Sequence, residues 1–333
     1  MKRAANRAMN TPASLLVCAL LVGASCVPGP PGPSGKGEDT RPAGPTHESS
    51  PPAKPPAAGP EAWAFAVIGD LGTGHPAERA VTRRMCSFQH RHPFDVVFTT
   101  GDNVYPDGDP GAFDAAFKEP LSCLTDAGVA VHASLGNHDV RTDDGLPEID
   151  DPAFGMEGRN YVLRIRGVRF VVWDSTSENF RWLRRHLGRG EGDAGQRGGA
   201  EMGAAQGAAQ DGKHGGGAFT VVLFHHPVYS PGTVHGSTPG FAPRLPRMFE
   251  RHGVDLVLNG HDHLYAVSKP LHGIRYVVTG GGGADLYGCG GDAFSEQCTS
   301  AHHFLYVAVR PGALRGWAIP PQGPPLGSFT VRG

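Results

Sequence analysis

Five short blocks carry side chains that can bind metal ions, and each follows an apolar run such as Phe65-Ala66-Val67-Ile68 or Leu256-Val257-Leu258. They are Gly69-Asp70, Gly101-Asp102-Asn103-Val104-Tyr105, Gly136-Asn137-His138-Asp139, His225-His226-Pro227 and Gly260-His261-Asp262-His263. Any one of them reads equally well as a turn, since Gly, Asp and Asn are turn residues. Five in series point to a two-metal centre. The donors are two carboxylates (Asp70, Asp102), one amide (Asn137), three imidazoles (His225, His261, His263) and one phenol (Tyr105). Mixed oxygen and nitrogen donors without sulfur suit Fe, Mn or Zn. A carboxylate can bridge two ions, and two-metal hydrolases hold ions about 3.5–4 Å apart to clamp the attacking and leaving oxygens of a displacement.

The elements that must position these donors alternate along the chain. Apolar runs predict strands over 63–68, 95–100, 129–134, 161–166, 168–173, 219–224, 254–258, 274–279, 304–309 and 314–318. Helices are expected at about 76–89, 111–124, 178–187 and 244–252. The runs on either side of Gly167 read as a hairpin, so the sheets should be mixed. Helices between strands should cover their outer faces. Each block then sits at the carboxyl end of a strand, where α/β folds build their sites. On an extended chain the adjacent His225 and His226 face opposite ways, which leaves one of them as a ligand. By the same alternation His261 and His263 share a side and Asp262 points away.

The chain has 333 residues and a formal net charge of −2, which gives no nucleic-acid-binding signal. Lys2, Arg3 and Arg7 precede the apolar stretch Leu15–Val22, and Gly23-Ala24-Ser25 then precede Cys26. This reads as an export signal over residues 1–26. Two main outcomes fit it: a cell-envelope lipoprotein, attached to a membrane through a lipidated Cys26, or a periplasmic or secreted protein. A retained single-span anchor is a third. Residues 27–60 form a Pro-rich tether, and residues 188–217 a second low-complexity stretch of Gly, Ala and Gln. The second stretch lacks the aromatics a lid would use, so an insertion is expected. Cys86, Cys123, Cys289 and Cys298 fit two disulfides in any of three connectivities, or free buried thiols. Cys289 and Cys298 would close a short Gly-rich loop, and Cys86 and Cys123 lie on predicted helices that could be neighbours.

Taken in order, the blocks resemble the calcineurin-like metallophosphoesterase superfamily. Tyr105, three residues after Asp102, is similar to the tyrosine of purple acid phosphatases, which bind ferric iron through a tyrosinate. The run His225-His226-Pro227-Val228-Tyr229-Ser230, followed by His235-Gly236, resembles the small tartrate-resistant-type branch. The resemblance runs from Trp63 to Tyr287, broken by the 188–217 insertion. It implies an α/β fold, a four-layer α/β/β/α sandwich of two mixed β-sheets flanked by helices, in a catalytic domain over 61–331. It implies two metal ions, Fe(III) plus a divalent Fe, Zn or Mn ion. One would take Asp70, Asp102, Tyr105 and His263. The other would share Asp102 and take Asn137, His225 and His261. His226 then falls at a position that is often aromatic in the family. His138 becomes a proton donor or electrostatic stabiliser at the leaving oxygen, with Asp139 orienting it, and His235 lies near the substrate phosphate.

The implied activity is hydrolysis of small phosphate monoesters by a metal-bound hydroxide. Two alternatives stay open: a phosphodiesterase or nucleotidase on the same scaffold, and a non-catalytic phosphate- or metal-binding lipoprotein. Charge favours the ferric reading. Asp70, Asp102, an ionised Tyr105 and one hydroxide carry four negative charges. A ferric–divalent pair leaves the centre net positive and attractive to a phosphate dianion, whereas two divalent ions leave it neutral.

Overall fold

The computed structural model describes residues 63–188 and 219–333. The export signal, the Pro-rich tether and the expected insertion, apart from Gly188, lie outside the described residues. Among these residues there are thirteen strands: β1 (Trp63–Ile68), β2 (Val96–Thr99), β3 (Ala130–His132), β4 (Tyr161–Ile165), β5 (Val168–Val172), β6 (Thr220–Leu223), β7 (Leu256–Asn259), β8 (Tyr265–Ser268), β9 (Arg275–Thr279), β10 (Ser295–Thr299), β11 (Phe304–Arg310), β12 (Ala313–Ile319) and β13 (Gly327–Arg332). The α-helices are α1 (Pro76–Gln89), α2 (Glu119–Thr125), α3 (Leu146–Asp150), α4 (Phe180–Leu187) and α5 (Leu245–Arg251).

Two mixed sheets result. One runs β13-β12-β11-β1-β2-β3 and the other β10-β8-β9-β7-β6-β5-β4. Strands β1, β2 and β3 are parallel, as are β5, β6, β7 and β9. Strand β1 shows why the layers form. Trp63, Phe65 and Val67 enter an apolar cluster shared with Phe170, Val221, Leu223 and Leu258 of the second sheet. Ala64, Ala66 and Ile68 alternate with them and pack on Val81, Met85, Leu121 and Leu124 of α1 and α2. The outer face of the second sheet, through Val171, Val222 and Val257, is covered by Leu183 and Leu187 of α4 and by Leu245 and Phe249 of α5. A strand buried on both faces reads as a continuous apolar run, and this places every block at the rim of a rigid sheet. The result is the expected α/β/β/α sandwich.

Three strands lie where none is expected: β8, β10 and β13. The second predicted helix is divided into a 3₁₀ turn (Pro110–Ala112), a π turn (Asp114–Lys118) and α2. Pro120 lacks the N–H that a continuous α-helix would need there. The hairpin at Gly167 forms as expected, with Arg166 (φ 43°) and Gly167 (φ 82°) both left-handed, the two-residue turn that matches strand twist. Both cysteine pairs form disulfides: Cys86–Cys123 joins α1 to α2, and Cys289–Cys298 closes the Gly-rich loop.

Glu78 anchors the loop between the first block and α1. It is fully buried, and its Oε2 accepts from the Gly74 N–H at 2.6 Å and the Thr73 hydroxyl at 3.3 Å. Its Oε1 has no partner. Burial pushes the carboxyl up from 4.5 to about 8, against the pull of those hydrogen bonds. A raised acid stabilises the fold below the unfolded value, and the contribution is lost as pH rises through the folded one. Glu78→Gln should therefore gain melting temperature relative to the parent between pH 5 and pH 8. A difference that stays constant across that range contradicts the assignment.

Candidate metal centre

The strands end and the chain turns at once. Asp70 (φ 56°), Asp102 (φ 53°) and His261 (φ 71°) all adopt left-handed backbone. Non-glycine residues avoid this region, and such outliers gather at functional sites. The flanking glycines are sterically required. A Cβ on Gly136 would lie 2.2 Å from Asp102 Oδ1, and one on Gly260 would lie 2.5 Å from Asp70 Oδ2.

Two donor groups converge at this rim. In the first, Asp70, Asp102 and His263 each bring a ligand atom within 4.8 Å of the others. The Tyr105 hydroxyl stands among them, 3.0 Å from Asp102 Oδ2, 3.1 Å from His263 Nε2 and 3.4 Å from Asp70 Oδ1. In the second, His225 Nε2 lies 2.9 Å from Asn137 Oδ1 and 3.1 Å from His261 Nδ1. Asp102 joins the two groups. Its Oδ1 accepts from the His138 backbone N–H at 2.9 Å, while Oδ2 faces Tyr105 on one side and His225 Nε2, at 3.4 Å, on the other.

Backbone carbonyls fix the rings. His225 Nδ1–H donates to Thr100 O at 2.9 Å, and His263 Nδ1–H donates to Asp285 O at 2.7 Å. Each Nε2 is thereby aimed at the donor group, the arrangement that outer partners impose on metal-ligating histidines.

Electrostatics agrees with a cation-binding role. Burial holds His225 well below the usual histidine range. Burial, followed by the neighbouring His225, His226 and His235, lowers His261 to about 2. Both shifts favour the neutral imidazole, which is the ligating form. Burial pushes Asp70 up to about 7, and burial also opposes a charge on His263, yet Asp70 holds that imidazole above its ordinary value. Both shifts favour a proton held between the two groups, one that a metal ion would displace. Tyr105 is raised far above the usual phenol range, by burial first and then by Asp70 and Asp102. The protein alone opposes a phenolate here, and a highly charged cation is what would reverse that sign. Two carboxylates, an amide, a phenol and neutral imidazoles around two adjacent positions fit a pair of hard-to-borderline ions.

His138 lies at the edge of the first group. Its Nδ1–H donates to Pro106 O at 2.6 Å, its Nε2 is 4.0 Å from Asp102 Oδ2, and its ring packs 4.4 Å from that of Tyr105. His235 is exposed and stacks on His261 at 4.1 Å. Its backbone N–H donates to Asp262.

Two expectations need correction. Asp139 does not orient His138. Its carboxylate is fully buried and accepts from the backbone N–H groups of Asn103, Val104 and Gly136 and from the Asn103 amide. It ties the second block to the third, beside a second buried carboxyl, Glu148. Adjacency in sequence did not translate into side-chain contact. Nor does His226 face away from His225. Strand β6 ends at Leu223, the chain bends, and the two rings lie 5.0 Å apart.

Four groups at the rim had no assigned role. Arg141 donates to Pro106 O at 3.1 Å and approaches His138 Nε2 at 3.5 Å. Tyr287 stacks on His263 at 4.1 Å. Asp262 points away from the donors, as expected, and accepts from Ser230 and from the backbone of His235 and Gly236. Ser175 bonds His226. Only Asp262, inside the last block, carried a signal in the sequence; the others meet the site through folding alone.

Residues 64–265 match the calcineurin-like phosphoesterase family. Among curated proteins the chain is 27% identical to purple acid phosphatase 17 of Arabidopsis thaliana over 235 residues, covering 66% of this chain and 68% of that one. It is 26% identical to purple acid phosphatase 4 of the same plant over 248 residues, covering 66% and 67%. Among solved structures, purple acid phosphatase PPD1 from yellow lupin superposes with a TM-score of 0.63 at 16% identity, over 84% of this chain and 55% of the lupin chain. GAP50, described as the anchor in the inner membrane complex of Plasmodium, superposes equally well, with a TM-score of 0.63 at 13% identity over 81% and 89%. At those identities both structures speak to the fold alone.

Proposed function

The chain belongs to the calcineurin-like phosphoesterase family, and from that premise we propose that it is a dinuclear-metal phosphomonoesterase of the purple acid phosphatase type. The observation that carries this reading is the single oxygen of Asp102 facing both donor groups, 3.0 Å from Tyr105 and 3.4 Å from His225 Nε2. Asp70, Asp102, Tyr105 and His263 would hold a ferric ion, and Asp102, Asn137, His225 and His261 a divalent Fe, Zn or Mn ion. When bound, the pair would supply Lewis acidity and an activated water nucleophile.

The chain's own residues do the rest. Asp70, Asp102 and Tyr105 set the charge of the pocket so that a phosphate dianion is drawn in. His138, with its Nδ1–H fixed on Pro106 O, would act as the imidazolium, giving its Nε2 proton to the departing oxygen and being left neutral with the Nδ1–H in place. His235, exposed on the outer face of His261, contacts the substrate phosphate. Asp262 holds the His235 loop by its backbone, and Asp139 holds the loops of the second and third blocks together.

Export of the chain is part of the same proposal, supported by the two disulfides, which belong to oxidising compartments. Attachment through Cys26 would follow for a lipoprotein. Among the described residues no helix is long and apolar enough to cross a membrane.

The test is the ratio of kcat/KM for a phosphate monoester to that for a matched diester on metal-loaded protein. The reading expects the monoester to be preferred. A diester preference overturns it in favour of a phosphodiesterase on the same scaffold.

A further inference from the structure

The fourth block delivers two imidazoles to the rim rather than one. One ring nitrogen from each of His225, His226 and His261 lies within 4.8 Å of the other two. The His226 ring is 4.6 Å from that of His261 and nearly perpendicular to that of His225, at 82°. His226 is also held from behind. The buried Ser175 accepts from the His226 backbone N–H at 3.1 Å, and the same hydroxyl meets His226 Nδ1 at 2.9 Å. A hydroxyl oxygen has two lone pairs and can accept from both groups. Nδ1 is then occupied by Ser175, and Nε2 is the nitrogen left for the cluster.

We propose that His226 is a third imidazole ligand of the second metal position, with Ser175 as the positioning residue that selects its tautomer. This rests on the two-metal reading above. It alters the character of that position: His225, His226 and His261 make it nitrogen-rich, while the position around Asp70 and Tyr105 stays oxygen-rich. Imidazole-rich sites suit zinc and similar borderline divalent ions, and carboxylate and phenolate oxygens suit harder ones. The chain would thereby sort a mixed pair of ions by donor chemistry. Ser175, on the turn after β5, plays the part that outer hydrogen-bond partners play in orienting metal-bound histidines.

The experiment titrates Zn²⁺ into metal-depleted protein against a chromophoric chelator, with zinc X-ray absorption to count imidazole nitrogens. The parent, His226→Phe and Ser175→Ala are compared. The parent should bind two ions. His226→Phe should keep one position and bind the second at least tenfold to a hundredfold more weakly, with one imidazole fewer per zinc there. Ser175→Ala, which leaves the imidazole in place, should weaken the same position by about tenfold, the lower end for an outer partner. Second-site affinity and nitrogen count unchanged in His226→Phe would overturn the proposal, and a fall in hydrolysis alone would then make His226 a substrate contact. A parent that binds fewer than two ions would overturn the two-metal reading itself, a result distinguishable from the failure of His226 alone.

Discussion

Replacing Asp102 with alanine should reduce phosphate-ester hydrolysis by on the order of 10³-fold or more and empty both metal positions together. Metal ions in such sites contribute several kcal/mol of charge stabilisation, and each 1.36 kcal/mol is about tenfold in rate. Among the donors, Asp102 alone faces both groups with one oxygen. Its other oxygen accepts from the His138 backbone N–H, so the substitution also loosens the loop that carries the proposed proton donor. His261→Ala is the control: it should empty one position and leave the Asp70–Tyr105–His263 group intact. Metal content per chain and kcat/KM, measured on both variants, check this. An Asp102→Ala protein that keeps two ions, or stays within tenfold of the parent in turnover, contradicts a shared ligand.

The second large effect concerns His138. With Nδ1–H spent on Pro106 O and the ring packed against Tyr105, only Nε2 can serve a substrate. A positioned proton donor contributes about 10²–10⁴-fold. His138→Gln should therefore lower kcat on an alkyl phosphate by about that factor. On a nitrophenyl phosphate, whose leaving oxygen needs no proton, the loss should be far smaller. Metal content should be unchanged in either case, because His138 supplies no side-chain donor to the two groups. Equal losses on both substrates would contradict proton donation. They would leave His138 as an electrostatic group, with the neighbouring Arg141 the next candidate at the leaving oxygen.

Local sequence rules reach as far as the segments whose surroundings they describe. The apolar runs before the blocks predict the central strands because those strands are buried on both faces, as the two residue sets of β1 show. Of the three unexpected strands, β10 and β13 lack that pattern, whereas β8 is buried at all four positions. Strand β10 is the polar run Ser295-Glu296-Gln297-Cys298-Thr299, at the edge of its sheet. Strand β8 begins two residues after His263, so the last block runs into it, and β13 follows a Pro- and Gly-rich run.

In the site, turn residue and candidate ligand are one and the same. Asp70 and Asp102 are turn residues in left-handed backbone, and the turn is what swings each carboxylate into the rim. Strand alternation leaves only one of His225 and His226 facing the rim, and it fails here because it needs extended backbone and β6 ends two residues before the pair. His261 and His263 do share the rim, yet through a left-handed turn at His261 rather than through an extended chain. Asp139 shows the converse. A carboxylate beside a histidine in sequence is consumed by backbone N–H groups of another block, a demand visible only once the loops are folded together.

The fold by itself does not decide catalysis, since folds host unrelated functions and function must be argued from the site. A purple acid phosphatase and a protein described as a membrane-complex anchor superpose on this chain equally well. The most direct measurement is elemental analysis of the protein from its native compartment, with an absorption spectrum and a phosphate-ester assay on the same sample. Two metal ions per chain are expected, one of them iron, with a visible phenolate-to-iron band that Tyr105→Phe abolishes and hydrolysis of a phosphate monoester. One ion or none per chain, or two ions with no hydrolysis of any phosphate ester between about pH 4 and 9, would contradict that expectation.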